Sequence, residues 1–405
     1  MKDNCKGAKP QSKLIITDYK DKIASVLTED SRPVQISLES KNQESILGNI
    51  YIGRVQNIVK NINAAFVEIA PGLTGYYSLT ENRRHWLGDQ PEEKNLQVGD
   101  EIMVQVEKDG IKTKSPTLTS DISLAGKYCV LTALNPKTSF SSKIRSSHWK
   151  ETVKELIEDR KPPSRGVIVR TNARDASYEE IFQELDGLAG EFEKVLAQRA
   201  FRTCHSLLYQ ASAPFLREIR NVYADTLKAI VTDKQDLYDE IFRYLSLNQP
   251  EDLEKLVFYE DPLLSLSALY SLETAIEEAL QPRVWLKSGG YLVVEPTEAM
   301  TVIDVNTGKF SGHKNLRDTL MKINLEAAHA VARELRLRNL SGIIVVDFID
   351  MEEEEHKKLL LDRLEKVVGK DPIKTLVVDI TRLNLVELTR KKIQRPLYEQ
   401  LAGMF

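Results

Sequence analysis

Two carboxylates in strand-like segments carry the most specific chemistry in this sequence. In TVIDVNTGKFSG, Asp304 lies within or at the end of a strand of buried type. Asn306 follows two residues later on the same strand face. Thr307 and Gly308 then break the strand. In GIIVVDFIDM, Asp347 follows four apolar residues, and Asp350 lies three further on. A carboxylate in an apolar strand is costly unless it is paired or binds a cation. The helix predicted between the two strands makes a standard crossover, so the strands can be neighbours and their carboxylates can meet at one sheet end. Two carboxylates and an amide oxygen suit a hard divalent cation. Mg²⁺ in particular takes one or two carboxylates plus substrate phosphate oxygens and water. Such an ion activates water and neutralises charge during in-line phosphoryl transfer. Capping of neighbouring elements, or pairing with Lys or Arg, is the competing account of Asp304 and Asp347.

Other polar clusters say less. The glutamates at 352–355 fall where a helix starts, so interaction with the helix dipole accounts for them. His329 and His356 read as surface or packing residues of helices. No GxSxG, P-loop or HExxH pattern is present. Cys5, Cys129 and Cys204 are too far apart for a disulfide framework or a CxxC metal knuckle.

These residues need elements to hold them. KLIITDY, KIASVLT and PVQISLE read as short alternating strands, followed by NIYIGRVQNIV, AAFVEIA, GYYSL and IMVQVE. PGLTG marks a turn. Five or so short strands in this stretch, with Gly turns, predict a small closed barrel. Such barrels bind single strands through aromatic platforms and basic side chains. Phe66 and Tyr76 lie on neighbouring barrel strands, and Lys108, Lys112 and Lys114 lie on or just beyond a later one. A place for Phe66 in the barrel core is the alternative. Residues 121–174 mix short strands and loops, with RGVIVRT the clearest strand. Ile181, Leu185, Leu188, Phe192 and Leu196 then recur at helical spacing. ASAPFLREI leads into strands near NVYADT and KAIVTD, and 233–280 is helix-rich. The last section alternates: YLVVEP and MTVIDVN as strands, a helix at 325–337, GIIVVDFID, a helix at 356–368, then TLVVDI. That is an α/β pattern.

Length and composition set the frame. A chain of 405 residues divides into two or three globular units and can bury an ample core. Formal net charge is -4, which excludes a uniformly basic coat for nucleic acid but not a local basic site. Residues 108–174 carry 14 basic and 6 acidic side chains, whereas 175–280 carry 9 basic and 21 acidic. The first block reads either as a polyanion site or as a solvated face. The polar first eleven residues do not resemble a signal peptide, and no apolar run reaches the roughly 18 residues of a membrane span. The expectation is a soluble, reduced, cytoplasmic protein.

Taken in order, NIYIGRVQNIVKNINAAFVEIAPGLTGYYSL, ISLAGKYCVL, RGVIVRT, TVIDVNTGKF, NLEAAHAVARELRLRNLSGIIVVDFIDM and TRLNLVELTRKK resemble the catalytic region of the ribonuclease E/G family of bacterial endoribonucleases. The resemblance runs from about residue 12 to residue 400. It implies an α/β multi-subdomain fold: an RNase H-like subdomain split between 1–37 and 215–280, an S1-like OB barrel at 38–120, a 5′-end sensor at 121–214, and a DNase I-like catalytic subdomain at 281–405. By resemblance, Asp304 and Asp347 are metal-binding catalytic aspartates and Asn306 is the asparagine beside them. Phe66, Tyr76 and Lys114 match RNA-binding positions of the barrel, with Lys108 nearby. Gly126, Val130, Arg170 and Thr171 match a pocket for a 5′-monophosphate. Lys143 stands where some members carry a sensor arginine, which keeps the charge but loses the bidentate fork. The implied activity is Mg²⁺-dependent cleavage of single-stranded RNA in rRNA processing and mRNA decay, leaving 5′-phosphate and 3′-hydroxyl ends. No CPxCxG zinc-link occurs in these residues and no cysteine follows Cys204, so zinc is not expected and a homodimer is left open. A catalytically weak RNA-binding or ribosome-associated protein is the second reading. A phosphoesterase for small molecules explains the carboxylates but not the barrel.

Overall fold

A computed structural model describes residues 11–41, 45–110, 115–223, 225–308, 316–351 and 353–401. Cys5, Lys112, Lys114 and Glu352 lie outside the described residues. The chain falls into two compact units: Met1–Lys41 with Thr226–Glu240 and Lys255–Phe405, and Asn42–Asp225 with Ile241–Glu254. Among the described residues, no helix is long and apolar enough to cross a membrane.

The first alternating segments form the antiparallel strands β1 (Ser12–Tyr19), β2 (Lys22–Glu29) and β3 (Arg32–Ser40). Asp30 and Ser31 both take positive φ, which matches the twist that a two-residue hairpin needs. The next five strands are β4 (Ile50–Val59), β5 (Ala64–Ala70), β6 (Leu73–Ser78), β7 (Glu101–Lys108) and β8 (Thr117–Thr119). They pair in the order β4, β5, β6, β8, β7, and β7 returns to β4, so the barrel is closed. This is the expected barrel, and it is consistent with an S1-like OB fold. Val55, Ala65, Val67, Tyr77, Ile102, Val104 and Leu118 fill it. The turn at PGLTG is shorter than expected, because β6 already begins at Leu73.

Residues 121–174 are not only strands and loops. Between the strands β9 (Ser123–Ala125), β10 (Cys129–Thr132), β11 (Thr138–Phe140) and β12 (Gly166–Val169) lies a 14-residue helix, α1 (Ser147–Arg160). Trp149, Val153, Leu156 and Ile157 mark its apolar stripe among many charged residues. Ser146 caps it by accepting the Trp149 N–H. The expected long helix is α2 (Tyr178–Arg199), and Ser177 and Glu180 close its start as a capping box. Strand β13 (Leu207–Tyr209) pairs with β4. Helix α3 (Pro214–Asn221) opens with proline in its first turn, where the missing N–H costs nothing. Among the described residues of NVYADT there is no strand, contrary to expectation: α3 runs into it as far as Asn221, and β14 (Leu227–Thr232) starts only after it.

Strand β14 lies parallel to β1, and beyond α4 (Gln235–Asn248) comes β15 (Leu256–Phe258), parallel to β14. Two helices follow, α5 (Leu266–Leu269) and α6 (Leu272–Leu280). The last sheet is built from β16 (Arg283–Trp285), β17 (Tyr291–Pro296), β18 (Met300–Asn306), β19 (Gly342–Asp347), β20 (Thr375–Ile380) and β21 (Leu385–Arg390), in the order β16, β17, β18, β19, β21, β20. Helix α7 (Leu316–Leu337) makes the crossover between the parallel pair β18 and β19. Helix α8 (Glu354–Val368) precedes β20, so the glutamate run does stand at a helix start. Ile303, Val305, Ile344, Val346, Val386 and Leu388 form the core with Ala327, Ala328 and Val331 of α7 and Leu360 and Leu364 of α8. The other face of this sheet is largely solvent-exposed.

Candidate active site

The exposed face changes the argument for the carboxylates. Asp304 and Asp347 are exposed, each between buried neighbours in sequence, Ile303 and Val305 for the first and Val346 and Phe348 for the second. The expectation of a buried-type strand with costly carboxylates is therefore corrected to a half-buried strand with its polar side in water. The expected meeting of the two groups holds. Asp304 of β18 and Asp347 of β19 are direct register partners across the parallel ladder. Asn306 points to the same face, and its Nδ2 donates to Asp304 Oδ2 at 2.7 Å. Among the described residues neither aspartate forms an ion pair with Lys or Arg, so the competing account finds no support there.

Partial desolvation at the sheet surface, and the charges of Asp304 and Asp350, hold the Asp347 carboxyl above the ordinary carboxylate range. Among the described residues no group of three or more His, Cys, Asp or Glu side chains could cage a metal ion. Two adjacent carboxylates without a cationic partner fit an ion that keeps most of its shell as water and substrate oxygens. They do not fit a closed structural site.

Two positioning residues escaped the sequence reading. Asn324 of α7 is fully buried; its Nδ2 donates to the Ile349 carbonyl at 2.8 Å, and its Oδ1 accepts from the Ile349 N–H at 3.1 Å. It thereby fixes the chain just after Asp347. Its signal was a lone amide on the apolar stripe of Ile323, Ala327 and Ala328. Glu326 accepts from the backbone N–H groups of Lys287 (2.6 Å) and Ser288 (3.1 Å) and pins the loop before β17. Gly308, at positive φ, lets the end of β18 press on that loop: a Cβ there would lie 2.2 Å from the Gly289 carbonyl oxygen.

On the barrel, Phe66 and Tyr76 are direct cross-strand partners with ring centroids 6.2 Å apart. Both are half-buried and neither joins the barrel core. Tyr76 is in register with Thr117, and Thr117 with Lys108. One register row on the outer face thus carries Phe66, Tyr76 and the exposed Lys108.

The residues matched to a 5′-phosphate pocket are near one another but already engaged. Arg170 follows β12; its Nη1 donates to the Gly126 carbonyl (2.5 Å) and its Nη2 to Asn221 Oδ1 (2.6 Å). Burial and the neighbouring Arg220 push the Arg170 guanidinium down to about 10. Thr171 and Ser141 share a hydroxyl hydrogen bond of 3.0 Å, and Lys143 Nζ donates to the Tyr223 hydroxyl at 3.1 Å. Val130 lies on β10 and pairs with Ile168. A Cβ on Gly126 would sit 2.3 Å from the Glu184 carboxyl carbon. That carboxylate accepts the backbone N–H groups of Lys127, Tyr128 and Cys129, while burial holds its pKa above the ordinary range.

The basic block is also partly internal. Lys127 is buried against Glu251 and Asp252, and the buried Arg165 lies over the Phe192 ring at 4.5 Å. Lys161 donates to the carbonyls of Pro136 and Arg165. These cations serve folding, which shrinks the surface left for a polyanion.

Comparison with known proteins finds one family along most of the chain. The profile of the Ribonuclease E/G family matches residues 123–393. The chain is 37% identical over 394 residues to ribonuclease G of Haemophilus influenzae, covering 94% of this chain and 79% of that protein. It is 35% identical over 381 residues to ribonuclease G of Escherichia coli K12, covering 91% and 77%. It is 33% identical over 396 residues to ribonuclease E of Synechocystis, covering 96% and 58%.

Proposed function

Because the chain belongs to the ribonuclease E/G family and is an endoribonuclease, we propose that it is a Mg²⁺-dependent enzyme that cleaves single-stranded RNA. The products carry 5′-phosphate and 3′-hydroxyl ends, and the substrates are rRNA and mRNA precursors in the cytoplasm. The observation that carries this reading is the registered pair Asp304 and Asp347, with Asn306 hydrogen-bonded to Asp304. The two carboxylates hold the cation and Asn306 fixes the rotamer of Asp304. When bound, the divalent ion neutralises charge at the scissile phosphate and lowers the pKa of water. Asn324 and Glu326 keep the flanking segments in place, so the carboxylates are presented without reorganisation. Cleavage of a single-stranded oligonucleotide with and without Mg²⁺ tests the reading; equal cutting in a metal-free, chelated reaction overturns it.

The same reading assigns the subdomains: RNase H-like at 1–37 and 215–280, S1-like OB at 38–120, 5′-sensor at 121–214 and DNase I-like at 281–405. In it, Phe66 and Tyr76 stack on bases, and Lys108 and Lys114 meet phosphates. Stacking contributes about 1–3 kcal/mol per base, so Phe66→Ala should weaken RNA binding by roughly 5- to 150-fold. An anisotropy titration measures this; unchanged affinity removes the platform.

Gly126, Val130, Lys143, Arg170 and Thr171 receive a 5′-monophosphate in this reading. Arg170 would exchange its Gly126 and Asn221 bonds for phosphate oxygens, and Lys143 adds charge without the fork. A 5′-monophosphorylated oligonucleotide should be cut faster than its 5′-hydroxyl twin, and Arg170→Ala should erase the difference. Equal rates on both substrates with the unaltered protein would dismiss the pocket.

A further inference from the structure

Beside the carboxylates, the same sheet face carries an aromatic and cationic group that the reaction has not used. In the edge strand β16, Val284 enters the core, while Arg283 and Trp285 face the other way. Register places them. Arg283 pairs with Val293, Val293 with Asp304, and Asp304 with Asp347. Trp285 pairs with Tyr291, and Tyr291 with Asn306. Neighbouring strands lie about 4.8 Å apart, so Trp285 stands two strands, or roughly 10 Å, from the Asn306 that holds Asp304.

The three side chains form one cluster. The Trp285 and Tyr291 rings are 5.3 Å apart at 59°. The Arg283 guanidinium lies 4.5 Å from the Tyr291 ring and 5.7 Å from the Trp285 ring. Trp285 is 64% exposed. Among the described residues the Arg283 side chain makes no hydrogen bond and no ion pair, so its guanidinium N–H donors are unspent. A single exposed tryptophan needs no explanation. A ring pair with a guanidinium that lies on the rings and keeps its N–H donors free, two strands from a carboxylate pair that acts on a phosphodiester, is the arrangement by which proteins hold a base and its phosphate.

We propose that Arg283, Trp285 and Tyr291 form a stacking platform that holds one nucleotide of the RNA strand flanking the cleavage site. Trp285 and Tyr291 offer π-faces to the base, and Arg283 meets its phosphate. The platform rests on the reading of Asp304 and Asp347 as the cleavage site, and it serves to set the strand's register there. Stacking of this kind tolerates any base, so it governs position more than sequence.

The test is a set of oligonucleotides with one abasic nucleotide walked through the positions on either side of the cut. The unaltered protein should lose about tenfold in kcat/KM at one position only. Trp285→Ala should show that loss on the intact oligonucleotide and no further loss at the same abasic position, and Trp285→Phe should recover most of it. A purely structural role for Trp285 leaves the abasic profile of Trp285→Ala identical to that of the unaltered protein, and that result overturns the platform. Tryptophan emission gives a readout that needs no cleavage. The chain has three tryptophans, of which Trp86 is fully buried. RNA should quench Asp304→Asn protein strongly and Asp304→Asn/Trp285→Phe protein weakly; equal quenching counts against the platform. If the unaltered protein cuts no RNA, the carboxylate reading fails, and quenching alone still decides the platform.

Discussion

Asp304→Asn should lower RNA cleavage by more than about 100-fold, beyond the range for loss of a mere supporting partner, and leave RNA binding within about twofold. The exchange is isosteric: the oxygen of the new amide can still accept from Asn306 Nδ2, so the strand end keeps its shape. What disappears is one of two negative charges on adjacent strands. Asp347→Asn should be as damaging to cleavage, with an opposite effect on stability. Its carboxyl is raised in the folded protein by partial desolvation and by Asp304 and Asp350. A raised carboxylate costs folded stability once ionised, and the cost disappears as pH falls through its raised value. At neutral pH Asp347→Asn should therefore raise the unfolding midpoint while cleavage is lost. Denaturant melts and a cleavage time course measure the two effects. Wild-type cleavage by purified Asp304→Asn protein would dismiss the carboxylate pair as the site. A lowered midpoint for Asp347→Asn would show that its charge is compensated in the fold.

The pair was legible because strand period and crossover handedness are local rules. Asp304 and Asn306 are two residues apart on a strand, so they must share a face. A helix between two strands makes them parallel neighbours by the commonest connection. Burial was less legible. A run such as IIVV fits a strand covered on both faces or on one, and only the exposure of the outer face in the folded chain decides. That outer face is where Asp304, Asp347 and the Trp285 cluster sit. Partners distant in sequence were illegible altogether. Nothing in GKYCVL announces that Glu184 collects three of its N–H groups, or that Lys127 meets residues more than a hundred positions away. The excess of positive charge at 108–174 seemed free because its counter-charges belong to another stretch of chain.

Lys127 turns that lesson into a measurable loss. Its side chain is 3% exposed, and its Nζ donates to Asp252 Oδ2 at 2.5 Å and Glu251 Oε1 at 2.8 Å. The Tyr128 hydroxyl donates to the same Glu251 oxygen at 2.7 Å. Burial works against the ammonium, but the bonds to Asp252 and Glu251 outweigh it and hold Lys127 above the ordinary lysine range. A raised lysine contributes fully below its unfolded pKa and loses that contribution only as pH rises through the folded value, so the pair is intact at neutral pH. Lys127→Ala should lower stability by about 3–5 kcal/mol, because it leaves the Asp252 carboxylate buried without its lysine. The backbone N–H of residue 127 still reaches Glu184 in that variant, so the loss reports the side chain. Lys127→Met combined with Asp252→Leu should recover most of it, since a buried ion pair is worth little more than well-packed apolar groups. Glu251→Gln should cost less, because that carboxylate is one-third exposed. Urea unfolding of the four proteins measures these differences. A Lys127→Ala loss below about 1 kcal/mol, the usual value of a surface pair, would place Lys127 in water and restore the basic block as a free polyanion surface.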